Sequence, residues 1–274
     1  MTAPKLCIHP GLPKTGTTSL QKNLFPYFAT NSLAYIGRNM PNEDKAIQIR
    51  KLLQQTGGDL RIHRKDNRRK TILLSDENIS MSPANPWLAN SAASPESIAI
   101  NAARLARKLG GLSPAFLISI RRQDTWLASR YAESAKIMTE VSQKDFEQRV
   151  NAALKNIEIN ARLNWLRYDN LCSIFSAIRH AETLVLPIEA YEETPSCYAN
   201  KLGKLLNVEV TGDLTIGKIE NTLSTGPRIW RTKGHQESIQ LTEVLSERIL
   251  SHFRTQNEKL SERIEIDLSQ WGYF

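Results

Sequence analysis

Three clusters of side chains in this sequence have the types and the spacing for chemistry. The first is Gly11-Leu12-Pro13-Lys14-Thr15-Gly16, followed by Thr17-Thr18-Ser19. A glycine turn that opens a helix aims several backbone N–H groups and the positive helix end at one point, so a phosphate or sulfate sits there naturally. Lys14 adds a mobile positive charge, and Thr15, Thr17, Thr18 and Ser19 add hydroxyl donors. Gly11 and Gly16 have the separation of the nucleotide-binding pattern G-x-x-x-x-G-K-[ST], and Thr18 falls on its hydroxyl position. Thr17, however, stands where that pattern has lysine, and the lysine lies inside the loop. The second cluster is Asp76-Glu77-Asn78. One of its carboxylates is placed to act as a general base, or the pair resembles the Mg²⁺-coordinating segment of phosphate-loop ATPases. The third is Arg121-Arg122, with Ser129 two turns later. A rigid guanidinium fork grips a phosphate bidentately, whereas a single arginine more often makes surface salt bridges.

The elements that must position these clusters are short apolar runs alternating with helical periodicity. Leu6-Cys7-Ile8, Thr71–Ser75, Ala115–Ile120 and Thr183–Ile188 read as buried strands, and Ala34–Gly37 as a shorter one. Leu20, Leu24 and Phe25 predict a helix after the glycine turn, as does Ile98–Leu109 before Gly110-Gly111. Helical spacing also runs over 44–55, from Phe146 to about Arg167 and on to Ile178, over Cys197–Leu206, and over Ile239–Phe253. This alternation predicts a three-layer α/β fold, with a mainly parallel sheet and helices on both faces. In such sheets ligands bind beyond the carboxyl ends of the strands, where all three clusters fall.

The 274 residues, 41% hydrophobic and 23% charged, have globular composition, and without an internal repeat or linker one domain over 1–274 is the economical expectation. No stretch approaches the length of a membrane span. Met1–Lys5 runs straight into the first strand with no room for a signal peptide, so the cytoplasm is the simplest location to expect. The three cysteines and five histidines show no metal spacing, so no metal is expected. The net charge of +8 suits anionic ligands. Arg61–Lys70, the densest basic run, could attract a sulfated or phosphorylated acceptor or nucleic acid, but without interleaved aromatics to stack on bases a solvated helix end is the favoured reading. His9 stands near the glycine turn, as a rival base or as hydrogen-bonded structure. Trp87, in a proline-rich loop, is expected at the rim of an acceptor site.

Lys14 lying ahead of its glycine makes Pro13-Lys14-Thr15-Gly16-Thr17-Thr18 similar to the loop of the sulfotransferase family, which binds the 5′-phosphosulfate of 3′-phosphoadenosine 5′-phosphosulfate (PAPS). Ser75-Asp76-Glu77-Asn78 resembles the S-x-E-N segment of its bacterial members, and Arg121 with Ser129 and Tyr131 resembles the R-x₇-S-x-Y segment. The resemblance implies a P-loop-containing sulfotransferase-like fold, of the bacterial, carbohydrate-sulfotransferase-like branch. It further implies in-line transfer of a sulfuryl group from PAPS to a hydroxyl or amine acceptor, such as a carbohydrate or glycolipid, leaving 3′-phosphoadenosine 5′-phosphate (PAP). Lys14 and Glu77 take the catalytic roles by this resemblance. Lys14, Thr15, Gly16, Thr17, Thr18 and Ser19 hold the 5′ end of the donor, and Arg121 and Ser129 its 3′-phosphate, without a metal. Two departures stand out: Gln123 replaces the commoner proline, and Ser19 replaces an aromatic, which leaves adenine stacking to Trp126 or Trp230. Asn221–Gly234 is similar to the family's late basic loop, and Asn257–Phe274 to its docking tail. Two rivals remain at this stage. One is a phosphate-loop kinase or NTPase with Thr18 and Asp76 on Mg²⁺; the other is a non-enzymatic polyanion binder using Arg61–Lys70.

Overall fold

The computed structural model describes residues 5–28, 33–37, 71–80, 85–87, 94–108, 113–156, 162–210 and 228–274. The helix expected over 44–55, the run Arg61–Lys70 and the first half of the late basic loop lie outside the described residues. The chain divides into two compact units, one comprising Met1–Met81, Glu96–Ile120 and Cys172–Glu220, the other Ser82–Pro95, Arg121–Leu171 and Asn221–Phe274.

The first unit is built on five strands, β1 (Lys5–His9), β2 (Leu33–Ile36), β3 (Thr71–Ser75), β4 (Ser113–Ile120) and β5 (Glu182–Pro187). Their order is β2-β3-β1-β4-β5 and every neighbouring pair is parallel. A parallel strand covered on both faces carries no polar alternation, and β3 is buried at all of its positions. The chain leaves β1 for β2 at one edge, then returns across β1 to β4 and β5. With right-handed crossovers that reversal places connections on both faces of the sheet. Side chains of β4 locate the two layers. Phe116 meets Phe175 of the helix Tyr168–Ser176 at a ring separation of 5.1 Å, whereas the Ser119 hydroxyl lies 3.2 Å from Tyr198 Oη on the helix Pro195–Leu206. Residues 116 and 119 of one strand point to opposite faces. The architecture is therefore the three-layer α/β fold that the alternation predicts.

The second unit holds the helices Gln123–Ser134, Gln143–Lys155 and Glu243–Ile264, with an antiparallel hairpin of β6 (Ile229–Arg231) and β7 (Ser238–Gln240). Trp126 packs edge-on against Trp165 with centroids 4.6 Å apart, and Tyr131 lies between Phe146 and Trp87. Trp87 is thus a buried packing residue rather than an open rim.

Two helical expectations change. The spacing from Phe146 to Arg167 is not one helix: it stops at Lys155, where Asn156 turns extended, and resumes as a short turn at Asn164–Leu166. Ile239 belongs to β7, and the last long helix begins only after Thr242, whose hydroxyl caps the N–H of Leu245 at 3.3 Å. The strand pattern Ile229-Trp230-Arg231 and Ser238-Ile239-Gln240 about Gly234 is the hairpin signal that helical counting hides. Among the described residues no helix is long and apolar enough to cross a membrane.

Candidate functional site

The glycine turn follows β1, and a helical run follows it: an α turn Thr17–Ser19, a π turn Leu20–Leu24 and a 3₁₀ turn Phe25–Phe28. Gly16, the residue before the run, is left-handed (φ 77°) and no side chain caps the helix, so the first turn's N–H groups lack an intrahelical partner. Lys14 is also left-handed, with φ 62°. Asn207 and Glu265 share that conformation as helix C-caps, where it is ordinary. Lys14 closes no helix, and a strained lysine inside this glycine turn marks a residue held in place by its surroundings.

The hydroxyls of this turn divide by role. Thr15 Oγ1 and Thr17 Oγ1 both donate to the Leu12 carbonyl, at 2.8 and 3.2 Å, and both residues are buried. They brace the loop internally. Ser19 is buried as well, whereas Thr18 is exposed.

The end of β3 docks on this loop. A methyl group on Gly11 would lie 2.9 Å from Glu77 Cα and 3.0 Å from its nitrogen, and Asp76 N–H donates to the His9 carbonyl at 3.3 Å. On the other side, a methyl on Gly16 would collide with Ile188 Cδ1, just after β5. The two acids have different surroundings. Asp76 is buried, and its Oδ1 accepts from Asn78 N at 2.8 Å and from Asn78 Nδ2 at 2.7 Å. It caps the 3₁₀ turn Glu77–Ser80 that carries the half-buried Glu77. Sequence spacing does not distinguish the two acids; their burial does, Asp76 being buried and Glu77 half-buried.

His9 is structural. Its ring is fully buried, with Nδ1 2.8 Å from Ser75 Oγ on β3 and Nε2 3.1 Å from Ser119 Oγ on β4. Gln21 Nε2 also donates to Ser75 Oγ at 3.0 Å. Burial lowers the imidazole pKa from 6.5 to about 3, so it is neutral near pH 7. Burial likewise pushes the Cys7 thiol up to about 12, away from reactivity.

In the second unit, Arg121 Nε donates to Thr125 Oγ1 at 3.3 Å, and Thr125 and Ser129 stand one turn apart on the helix Gln123–Ser134. Arg121, which stands before the helix, thus reaches the face that carries Thr125 and the half-buried Ser129, and Thr125 is a contact that sequence reading passed over. Tyr131 hydrogen-bonds Asp145 Oδ2 at 2.7 Å and is core. Arg122 is tied to the fully buried Asp124, with Nε 3.0 Å from Oδ1. Trp126, a candidate for adenine stacking, is instead buried against Trp165, and Trp230 lies half-buried on β6. Of the late loop's cations, Arg228 pairs with Asp124 at 3.3 Å, Lys233 with Glu133 at 3.7 Å, and Arg231 is exposed. Among the described residues no group of three or more His, Cys, Asp or Glu is arranged to hold a metal ion.

No family model matches the chain, and no curated protein matches it. Among solved structures it is similar to a sulfotransferase from Alicyclobacillus acidocaldarius, at 12% identity and a TM-score of 0.49, with 99% of each chain covered. It is also similar to a sulfotransferase domain from the curacin biosynthetic pathway, at 11% identity and a TM-score of 0.40, with 97% of this chain and 99% of that one covered.

Proposed function

We propose that this chain is a PAPS-dependent sulfotransferase acting on a hydroxyl or amine, with a carbohydrate or glycolipid as the favoured acceptor class. The observation that carries this reading is the close approach of Glu77 to Gly11, which sets a carboxylate beside a turn containing a strained lysine and helix-opening N–H groups. The donor set suits a sulfated nucleotide: one cation, several amides and the exposed Thr18 hydroxyl. When bound, such a donor supplies the sulfuryl group. Lys14 places positive charge where negative charge grows on the leaving side, and the N–H groups of Thr15, Gly16, Thr17, Thr18 and Ser19 hold the 5′ end. Glu77 takes the acceptor proton by the sequence resemblance, supported by its half-buried place beside Gly11, whereas Asp76 is buried and caps the turn. Arg121 and Ser129 are assigned to the 3′-phosphate by the sequence resemblance, supported by the Arg121 hydrogen bond to Thr125, one turn before Ser129 on the same helix.

The test is calorimetry with PAP, with and without EDTA, against ATP with Mg²⁺. PAP is expected to bind equally in the presence of chelator, and Lys14→Ala to weaken it. Binding of magnesium ATP without binding of PAP would replace this reading with a phosphate-loop kinase or NTPase. Labelled PAPS offered to an acceptor panel then identifies the acceptor.

A further inference from the structure

We infer that Gln123 and Asn257 form a positioning pair that sets the Arg121 segment, and with it the protein's selectivity for a nucleotide carrying a 3′-phosphate; this rests on the function proposed above. Both side chains are fully buried and lie 134 positions apart in the chain. Gln123 Nε2 donates to Asn257 Oδ1 at 2.7 Å, and Asn257 Nδ2 donates back to Gln123 Oε1 at 3.1 Å. The remaining hydrogen of each amide is also used. Gln123 Nε2 donates to the Leu166 carbonyl at 3.2 Å and Asn257 Nδ2 to the Tyr273 carbonyl at 2.9 Å. An amide has two N–H donors, so neither orientation is left open, and a buried network satisfied in this way holds one geometry.

The pair is the hub of a clamp on residues 121–123. Tyr168 Oη donates to the Arg121 carbonyl at 2.7 Å. Arg122 Nη1 donates to the Trp271 carbonyl at 3.3 Å, while its Nε and Nη2 grip Asp124. The long helix Glu243–Ile264, through Asn257, and the segment around Trp271 and Tyr273 thereby fix the backbone from which the Arg121 side chain projects toward Thr125 and the Ser129 face. Proline at position 123 would leave an acceptor and a donor of buried Asn257 without partners, at the cost of an unsatisfied polar group. Glutamine here therefore belongs to the clamp. Gln123 and Asn257 are positioning residues, because their hydrogen bonds are spent on one another and on backbone.

The experiment is calorimetry of PAP and of adenosine 5′-phosphate, which lacks the 3′-phosphate, on the full chain and on Gln123→Ala, Asn257→Ala, the double variant and Arg121→Ala. The ratio of the two affinities is the readout. Each single amide variant is expected to lower the preference for PAP about tenfold while affinity for adenosine 5′-phosphate stays unchanged, and the double variant to lower it no further than the worse single. Equal weakening of both ligands, or an unchanged ratio in folded variants while Arg121→Ala abolishes the preference, overturns the inference alone. A wild-type chain without any preference for PAP overturns the proposed function and this inference with it. Gln123→Met keeps the volume and drops the hydrogen bonds, and it carries the same expectation if the alanine variant does not fold.

Discussion

Gly11 and Glu77 approach so closely that a side chain at position 11 has no room: its Cβ would stand 2.9 Å from Glu77 Cα and 3.1 Å from Glu77 Cγ. Gly11 is also left-handed, at φ 62°. Gly11→Ala must therefore bear a conformational penalty and displace the backbone that carries the carboxylate. The expected cost is roughly 2–3 kcal/mol in urea denaturation, from strain of about 1 kcal/mol plus overpacking of similar size. A loss under about 0.5 kcal/mol would mean that the turn and the end of β3 separate freely, leaving Glu77 without fixed placement.

The two neighbouring acids separate by substitution. Glu77→Gln is expected to lower kcat by about 10²- to 10⁴-fold, as loss of a general base does, with PAP affinity unchanged. Asp76→Asn retains an oxygen to accept from Asn78 N and is expected to keep kcat within about tenfold, with some loss of stability. Steady-state rates and calorimetry on both variants decide, and the opposite order would move the base to Asp76.

The parallel core and the glycine turn that opens a helix were legible because their signals are local. Ile72–Leu74 is an uninterrupted apolar run, and Gly11 to Ser19 combines a turn with a helix start within nine residues. What escaped depends on partners distant in sequence. Nothing near Thr15 or Thr17 indicates that both hydroxyls turn inward to Leu12, and nothing near Gln123 points to Asn257. The hairpin at 229–240 was hidden for a different reason. Ile239 falls in phase with the apolar stripe of the following helix, and only the Thr242 cap separates strand from helix.

Asp124 is a further consequence of such distant contacts. Its fully buried carboxylate accepts from Arg122 Nε at 3.0 Å, Arg228 Nη1 at 3.3 Å, Thr125 N at 2.7 Å and Ser246 Oγ at 2.5 Å. Removing it strands a guanidinium and a hydroxyl in a closed site, so Asp124→Ala is expected to cost about 3–5 kcal/mol. Arg228→Ala leaves Arg122 on Asp124 and removes a partner whose side chain is 39% exposed, so about 1 kcal/mol or less is expected. Chemical denaturation of the two variants should give that order, and equal losses would show that Arg228, rather than Arg122, neutralises the carboxylate.

His9 gives the fold a pH dependence whose sign follows from its environment. Its pKa is about 3 when folded and 6.5 when free, because burial between Ser75 and Ser119 disfavours the imidazolium. Between those two values the unfolded chain binds a proton that the folded chain refuses. Stability therefore rises with pH across that window, and it falls by up to about 1.4 kcal/mol for each unit of acidification below pH 6.5. Above pH 6.5 both states are neutral at this position and the contribution is flat. His9→Gln removes the titration. The variant is expected to be less stable at pH 7, for want of the ring's two hydrogen bonds, yet to lose stability less steeply between about pH 6 and pH 4. Urea denaturation at several pH values compares the slopes. Parallel curves for the two proteins would mean that the folded state protonates His9 as readily as the unfolded chain does, and the neutral strut between β3 and β4 would have to be given up.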